Sequence, residues 1–247
     1  MSSSSNEHPG DVTVALVHGA FADSSGWNDV VEQLQTAGVT VRAIVNPLRG
    51  IAHDAAYVAS ALGQIPGRVL AVGHSYGGAV ITNAATSADN VVGLVYVAGF
   101  APDEGEILGK VTSDSKDSVL NTALVELHFP TGAGDETDVE YAINPDLFHD
   151  AFAADLPESQ TAVMAVVQRP VAAAAFTETS GPPAWRTLPS WAVVAKHDTA
   201  AGSDVVRAMA QRAGAHITEL DGSHVIMMSE PKAVTDVIRD ALAHLPT

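Results

Sequence analysis

Ser75 lies between two glycines in AVGHSYGGAV, residues 71–80, directly after an apolar run. A serine hydroxyl is a poor nucleophile near neutral pH and acts only when a positioned base removes its proton, so a histidine and a carboxylate should accompany it. The spacing Gly73-x-Ser75-x-Gly77 alone arises by chance in about one chain in ten of this length. Its context singles it out: a strand-like run precedes it, a helical pattern follows, and Gly78 and Ala79 keep the next positions small. A sharp strand-to-helix turn holds a nucleophile in strained backbone geometry at the top of a sheet, with small flanking residues because neighbouring chains crowd it. The plain alternative is a tight turn with an incidental serine.

Ten histidines compete for the role of base. His224 in ELDGSHVIMMSEP is placed best, in a loop between the last strand and the last helix. His74 adjoins the nucleophile, but its side chain is expected to point away from Ser75. His18 begins a loop and His197 ends a strand, where structural hydrogen bonding is expected. His53, His128, His149, His216 and His244 have no partner pattern, and His8 lies in the N-terminal polar stretch. The acid should fall between serine and histidine in chain order. Asp198 in SWAVVAKHDT follows the C-terminal end of a strand, where open α/β sheets gather ligand groups, and it leads. Asp103 in GFAPDEGE occupies a similar place after the preceding strand and is the second choice. Asp221 is too close to His224 in the same loop and reads as a loop cap.

Acyl transfer also needs backbone N–H donors aimed at the developing oxyanion. One is expected from Tyr76, after the nucleophile, and the other from Ala20 in HGAFADSSGW, after the first strand. Phe21, Phe100, Phe129, Phe148, Phe152, Met164 and Trp185 are candidates to line a pocket, with core packing the alternative for each.

These groups need elements to carry them. Residues 12–17, 39–45, 68–73 and 91–98 are short, Val-rich runs apolar on both faces, as buried parallel strands read. Helical patterns at 27–36, 53–64 and 76–87 lie between them, which implies right-handed βαβ crossovers. After Phe100 the rhythm breaks. Residues 101–186 hold acidic and Gly-rich pieces, then helical patterns around 146–154 and 157–176, with VAAAAF as a helix-forming run. An inserted, mostly helical cap is expected there. The rhythm resumes with a strand at 190–196, a helix at 203–212, a strand at 216–220 and a helix at 231–244. The expected fold is one α/β domain over residues 11–247. It has a mostly parallel six-stranded sheet flanked by helices, and a Ser-rich polar leader at 1–10 precedes it.

Composition excludes several functions. The 247 residues are 47% hydrophobic, enough for a full core. Twelve Lys and Arg against 29 Asp and Glu give a net charge of −17 with no basic cluster, so neither nucleic acid nor an anionic membrane is an expected partner. The absence of cysteine removes disulfides, a thiol nucleophile and thiolate metal sites. No His-Glu-x-x-His spacing and no phosphate loop occur, LGKVT lacking the required pattern, so no metal and no cofactor are expected. Without an apolar run of spanning length or a signal sequence, the chain is expected to be cytoplasmic, as a monomer or homodimer.

Together, LVHGAFADSSGW, VGHSYGGAV, LVYVAGFAPD, VVAKHD and DGSHVIMMSEP resemble the α/β-hydrolase superfamily. Within it they resemble the branch of plant methyl-salicylate-type esterases, hydroxynitrile lyases and many small bacterial esterases. The likeness runs through nearly the whole chain from Val12 and includes the cap segment LHFPTG…QRPVAAAAF. It implies Ser75, Asp198 and His224 as a triad, Ala20 and Tyr76 as an oxyanion hole, and a sheet lacking the superfamily's first two strands. Hydroxynitrile lyases of this branch carry Thr after the loop histidine and Lys after the catalytic one, where this chain has Gly19 and Val225. Without that lysine nothing positive is offered to a departing cyanide, so ester hydrolysis is favoured. Related dehalogenases and epoxide hydrolases carry Asp where this chain has Ser75.

The expected activity is metal-independent hydrolysis of a small, largely apolar ester through an acyl-enzyme. The base must be neutral to act, so activity is expected to fall in acid. Lactone, thioester or amide cleavage and acyl transfer would use the same residues. Some relatives of this fold serve as hormone receptors with vestigial turnover, a role from which the intact Ser75, His224 and Asp198 lean away.

Overall fold

Valine-rich strands with no polar face can be satisfied only between two layers of helix, and that is where the structure puts them. The structure is a computed structural model that describes residues 12–246; the leader expected at 1–10 lies outside the described residues. In chain order the first half comprises β1 (Val12–Val17), α1 (Asn28–Thr36), β2 (Val41–Ile44), α2 (Ile51–Gly63), β3 (Arg68–His74), α3 (Tyr76–Ala84) and β4 (Val91–Val97). An insertion follows, with α4 (Leu108–Asp114), α5 (Leu120–Ala123), β5 (Leu124–Pro130), β6 (Thr137–Ile143), α6 (Phe148–Phe152), α7 (Glu158–Val167), β7 (Val171–Ala172) and α8 (Ala174–Thr177). The chain ends through β8 (Ser190–Ala195), α9 (Ser203–Arg212), β9 (His216–Leu220), α10 (Ile226–Ser229) and α11 (Pro231–Ala243).

The six expected strands form one parallel sheet in the order β2-β1-β3-β4-β8-β9. Its four inner strands are almost entirely buried, whereas the edges β2 and β9 turn Arg42 and Glu219 outward. Charged, short edges resist pairing with other chains. Helix α11 opens on Pro231 and buries Val234, Val237, Ile238 and Ala241 at helical spacing, against α1 with its own Val30 and Leu34. Helix α2 packs on α3. The register sets Val17 opposite Gly73, His74 opposite Val97 and Val97 opposite Val193, so the strands end along a common edge.

The insertion holds more helix than strand, as expected, but it also carries a sheet that was not expected. Strands β5, β6 and β7 form a three-stranded antiparallel sheet, and a glycine-containing turn at 131–136 joins the first two. The helix expected over 157–176 is interrupted by β7, so VAAAAF divides between that strand and α8. Pro170 explains the break, because a proline disfavours helical backbone at the residue before it and offers no N–H of its own. No helix of the described residues is long and apolar enough to cross a membrane.

Candidate active site

Ser75 occupies the single residue between the end of β3 and the start of α3. Its backbone sits at φ 53°, ψ −125°, in the left-handed half of the map, where a non-glycine residue costs on the order of 1–3 kcal/mol. Its surroundings hold it there. Ser75 N–H donates to the Val97 carbonyl at 3.2 Å, and the Ser75 carbonyl accepts from Gly78 N–H at 2.9 Å and Phe100 N–H at 3.1 Å. The glycines are small because the backbone is crowded. A Cβ on Gly73 would lie 2.5 Å from the Gly77 carbonyl oxygen, and one on Gly77 would lie 2.5 Å from that of Val17.

Asp198 and His224 reach the same edge from the loops after β8 and β9. The His224 ring donates through Nδ1 to Asp198 Oδ2 at 2.8 Å, with both side chains buried. The other carboxylate oxygen of Asp198 accepts from the N–H groups of Ala200 at 3.0 Å and Ala201 at 2.9 Å. The Ser203 hydroxyl ties the base of this loop, accepting from Asp198 N–H and donating to the Ala195 carbonyl. A carboxylate so held fixes the ring with Nε2 bare, as a general base requires. His224 and Ser75 line one cavity, although no hydrogen bond joins the Ser75 hydroxyl to the ring among the described residues. Such bonds commonly tighten only around bound substrate. Asp103, the second choice for the acid, is instead paired with Arg186 at 2.5 Å.

Two supports of the His224 loop escaped the sequence reading. The His74 ring does turn from Ser75, and its Nε2–H donates to the His224 backbone carbonyl at 2.9 Å. Complete burial, and then the nearby His224, push the His74 pKa well below the usual histidine range, so the ring is neutral. Asp155 accepts from the Ser223 N–H at 2.7 Å and from the Ser223 hydroxyl. Burial opposes its charge, but these bonds outweigh that and hold the Asp155 carboxyl below its usual range.

The two expected oxyanion donors also have built supports. The His18 ring donates through Nδ1 to the Gly19 carbonyl at 2.9 Å and accepts Asn46 N–H at Nε2, at 3.0 Å. In a planar trans peptide the carbonyl and the following N–H point in opposite directions. The His18 bond therefore turns the Ala20 N–H away from the imidazole, and Ala20 lines the cavity with Ser75. Burial lowers the His18 pKa, with the Arg169 charge acting in the same direction. Tyr76 is anchored by its hydroxyl, which donates to the buried Asp54 at 2.9 Å. A Cβ at Gly19 would meet Ser75 Cβ at 2.7 Å, so a threonine there would displace the nucleophile.

The cavity around Ser75 is tight, and its lining is apolar apart from Ser75, Tyr76 and the His224 ring. Phe21, Phe100 and Phe152 line it, joined by Leu120, Phe176, Ala200 and Ala201, which sequence reasoning did not name. The small pair after Asp198 was the one available signal. Phe148 and Met164 line a neighbouring cavity. Two expectations are corrected, since neither cavity includes Phe129 or Trp185. Phe129 carries the Arg49 guanidinium 4.4 Å from its ring centroid, and the Trp185 indole donates to the Pro102 carbonyl at 3.0 Å. Both aromatic faces are spent on contacts with arginines, Trp185 lying beside Arg186 and Arg212. Among the described residues no group of three or more His, Cys, Asp or Glu side chains is placed to hold a metal ion.

Comparison with known proteins agrees with this architecture. The model of the alpha/beta hydrolase family matches residues 14–237, nearly the whole chain, and the chain belongs to that family. Polyneuridine aldehyde esterase is similar in structure at a TM-score of 0.79 and 16% identity, over 94% of this chain and 99% of the other. Tomato methylketone synthase I, complexed with 2-tridecanone, gives 0.78 and 18%, over 96% and 99%. An extracellular alpha/beta-hydrolase from a Paenibacillus species, described as sharing structural and functional homology with tobacco salicylic acid binding protein 2, gives 0.73 and 19%, over 93% and 98%. At such identities the likeness is one of fold. No curated protein matches the sequence.

Proposed function

We propose that the protein is a serine carboxylesterase that hydrolyses a small, largely apolar, uncharged ester through an acyl-enzyme. The observation that carries this reading is the 2.8 Å bond from His224 to a doubly held Asp198, beside a serine kept at positive φ in the same apolar cavity. Ser75 Oγ attacks the ester carbonyl while His224 Nε2 takes its proton. The N–H groups of Ala20 and Tyr76 receive the oxyanion. His224 then protonates the departing alcohol, and afterwards takes a proton from the water that releases the acid, with Asp198 orienting the ring throughout. No cation lines the cavity to receive a leaving anion, and Val225 stands where a cyanide-releasing relative would need a lysine. The esterase named among the similar structures supports the same choice.

The test is pre-steady-state hydrolysis of short p-nitrophenyl esters by wild type and Ser75→Ala. A burst of p-nitrophenol or steady turnover in wild type, lost in Ser75→Ala, is expected. Equal rates in the two proteins would remove Ser75 from the chemistry.

A further inference from the structure

Phe21 and Phe152 each border two spaces. On one side is the cavity of Ser75 and His224. On the other is a larger chamber, walled also by Phe148, Met164, Val225 and Met227. The two shared rings meet edge to face with centroids 6.3 Å apart, and Phe152 lies 5.0 Å from the His224 ring. The histidine loop thus divides the spaces, His224 facing the inner one and Val225 the outer.

Size and polarity say what the outer chamber can take. The inner cavity is the tighter of the two spaces, and the outer chamber is the roomier and more open. No lysine or arginine lines either space. The polar groups of the outer wall are already engaged. The Gln168 amide donates to the carbonyls of Ile143 and Ala165 and accepts Ile143 N–H, and Asp23 accepts Ser25 N–H at 2.7 Å. An anionic arm would face the Asp23 carboxylate with no lysine or arginine in the chamber wall to pair with it. At the solvent end, Val167 is 60% exposed and shares a face of α7 with the exposed Val163 and Val166, so the lip is apolar as well.

We infer that the outer chamber binds the longer arm of the ester, an uncharged alkyl chain or ring too large for the inner cavity, while the carbonyl sits at Ser75. The substrate class is then a neutral ester with two unequal apolar lobes. This rests on the esterase reading of Ser75. The flexible Met164 and Met227 side chains can adapt to arms of different shape.

The test uses two ester series: p-nitrophenyl esters of lengthening linear acids, and acetate esters of lengthening linear alcohols followed by acid release. Wild type is compared with Met164→Trp, which fills the chamber, and Val167→Asp, which charges its exposed lip, each rate being divided by that protein's own rate on the shortest ester. In wild type, kcat/KM is expected to rise about fourfold per added methylene in one series, the transfer worth of a buried CH2. The series that rises identifies the arm as acyl or alcohol. Both variants are expected to flatten the rise while keeping a cooperative thermal transition. A flat profile in both wild-type series, or a rise untouched by both variants, overturns the assignment. If wild type hydrolyses nothing, the esterase reading fails, and calorimetric binding of the same esters to Ser75→Ala decides the chamber separately. Affinity that grows with chain length and is lost on adding Met164→Trp upholds it; affinity independent of length, or no binding, ends it.

Discussion

The loops after β3, β8 and β9 and the insertion between β4 and β8 meet at one cavity but are held by different physics. Around the loops, buried groups fix one another. Asp198 takes two backbone N–H groups besides the His224 ring, His74 takes the His224 carbonyl, and Ser75 is clamped by Val97, Gly78 and Phe100. Strained backbone collects here too, Phe21, Ser75 and Ala98 being three of the four non-glycine residues with positive φ among the described residues. The insertion meets the core through partly exposed ion pairs, Arg49 to Glu140 and Arg212 to Glu106, as well as through Asp155 at Ser223, and α7 turns valines to solvent. Exposed ion pairs add little stability, whereas buried networks allow few alternative arrangements. The comparison teaches a division of labour: the candidate reacting groups sit on the over-determined loops, and the insertion adds Leu120, Phe148, Phe152, Met164, Val167, Gln168 and Phe176 to cavity walls that otherwise come from the core.

The sharpest way to break the comparison is Asp198→Asn. Losing the acceptor should leave the His224 ring in the wrong tautomer, and kcat is expected to fall by roughly a thousand- to ten-thousandfold with KM little changed. Steady-state kinetics on a p-nitrophenyl ester checks this, and a loss under tenfold would mean that Asp198 does not orient the base. Next in size is Gly77→Ala. The new Cβ has only backbone to push against, 2.5 Å from the Val17 oxygen, and a loss of about 3 kcal/mol in urea unfolding is expected. Unchanged stability would show that the elbow is less crowded than it is drawn.

What was legible in the sequence follows the same division. The inner strands β1, β3, β4 and β8 are buried on both faces and therefore read as continuous apolar runs. Ser75 and Asp198 stand just past two such runs, β3 and β8, whereas His224 follows the half-exposed edge strand β9. Strand β5 was less legible although Val125-Glu126-Leu127-His128-Phe129 alternates apolar and polar, because it lacks the continuous apolar run that marks the inner strands and Leu127 is itself exposed. A further local cue to the hairpin was TGAGDE, where Gly132 and Gly134 adopt the positive φ of the turn. His74 illustrates a different limit. Its partner lies 150 residues away, and no local spacing encodes such a contact.

A smaller effect should appear in the pH dependence of stability. His74 and His18 are kept neutral by burial, their folded pKa values lowered from the ordinary 6.5. Below that value the unfolded chain binds protons that the folded chain refuses. The stability these two histidines contribute is therefore present above 6.5 and is lost as pH falls from there through the folded values. Thermal melts should show Tm falling between about pH 7 and about pH 5, with a shallower fall in His74→Gln. A flat Tm in wild type across that window would show that these rings are protonated in the fold. The smallest effect belongs to the insertion. Glu140→Gln breaks the partly exposed pair with Arg49 and should cost less than about 1 kcal/mol in the same urea measurement, leaving turnover of a short ester within about twofold. A larger loss would place the insertion among the rigid elements and erase the contrast.

The central claim is that the buried His224–Asp198 pair activates Ser75 and no other hydroxyl. Intact-mass and peptide-mapping spectrometry after treatment with a fluorophosphonate tests it most directly. The account predicts a single adduct on the peptide that carries Ser75, absent from Ser75→Ala and strongly slowed in Asp198→Asn. Labelling at another residue, or none in the folded wild-type protein, would contradict it.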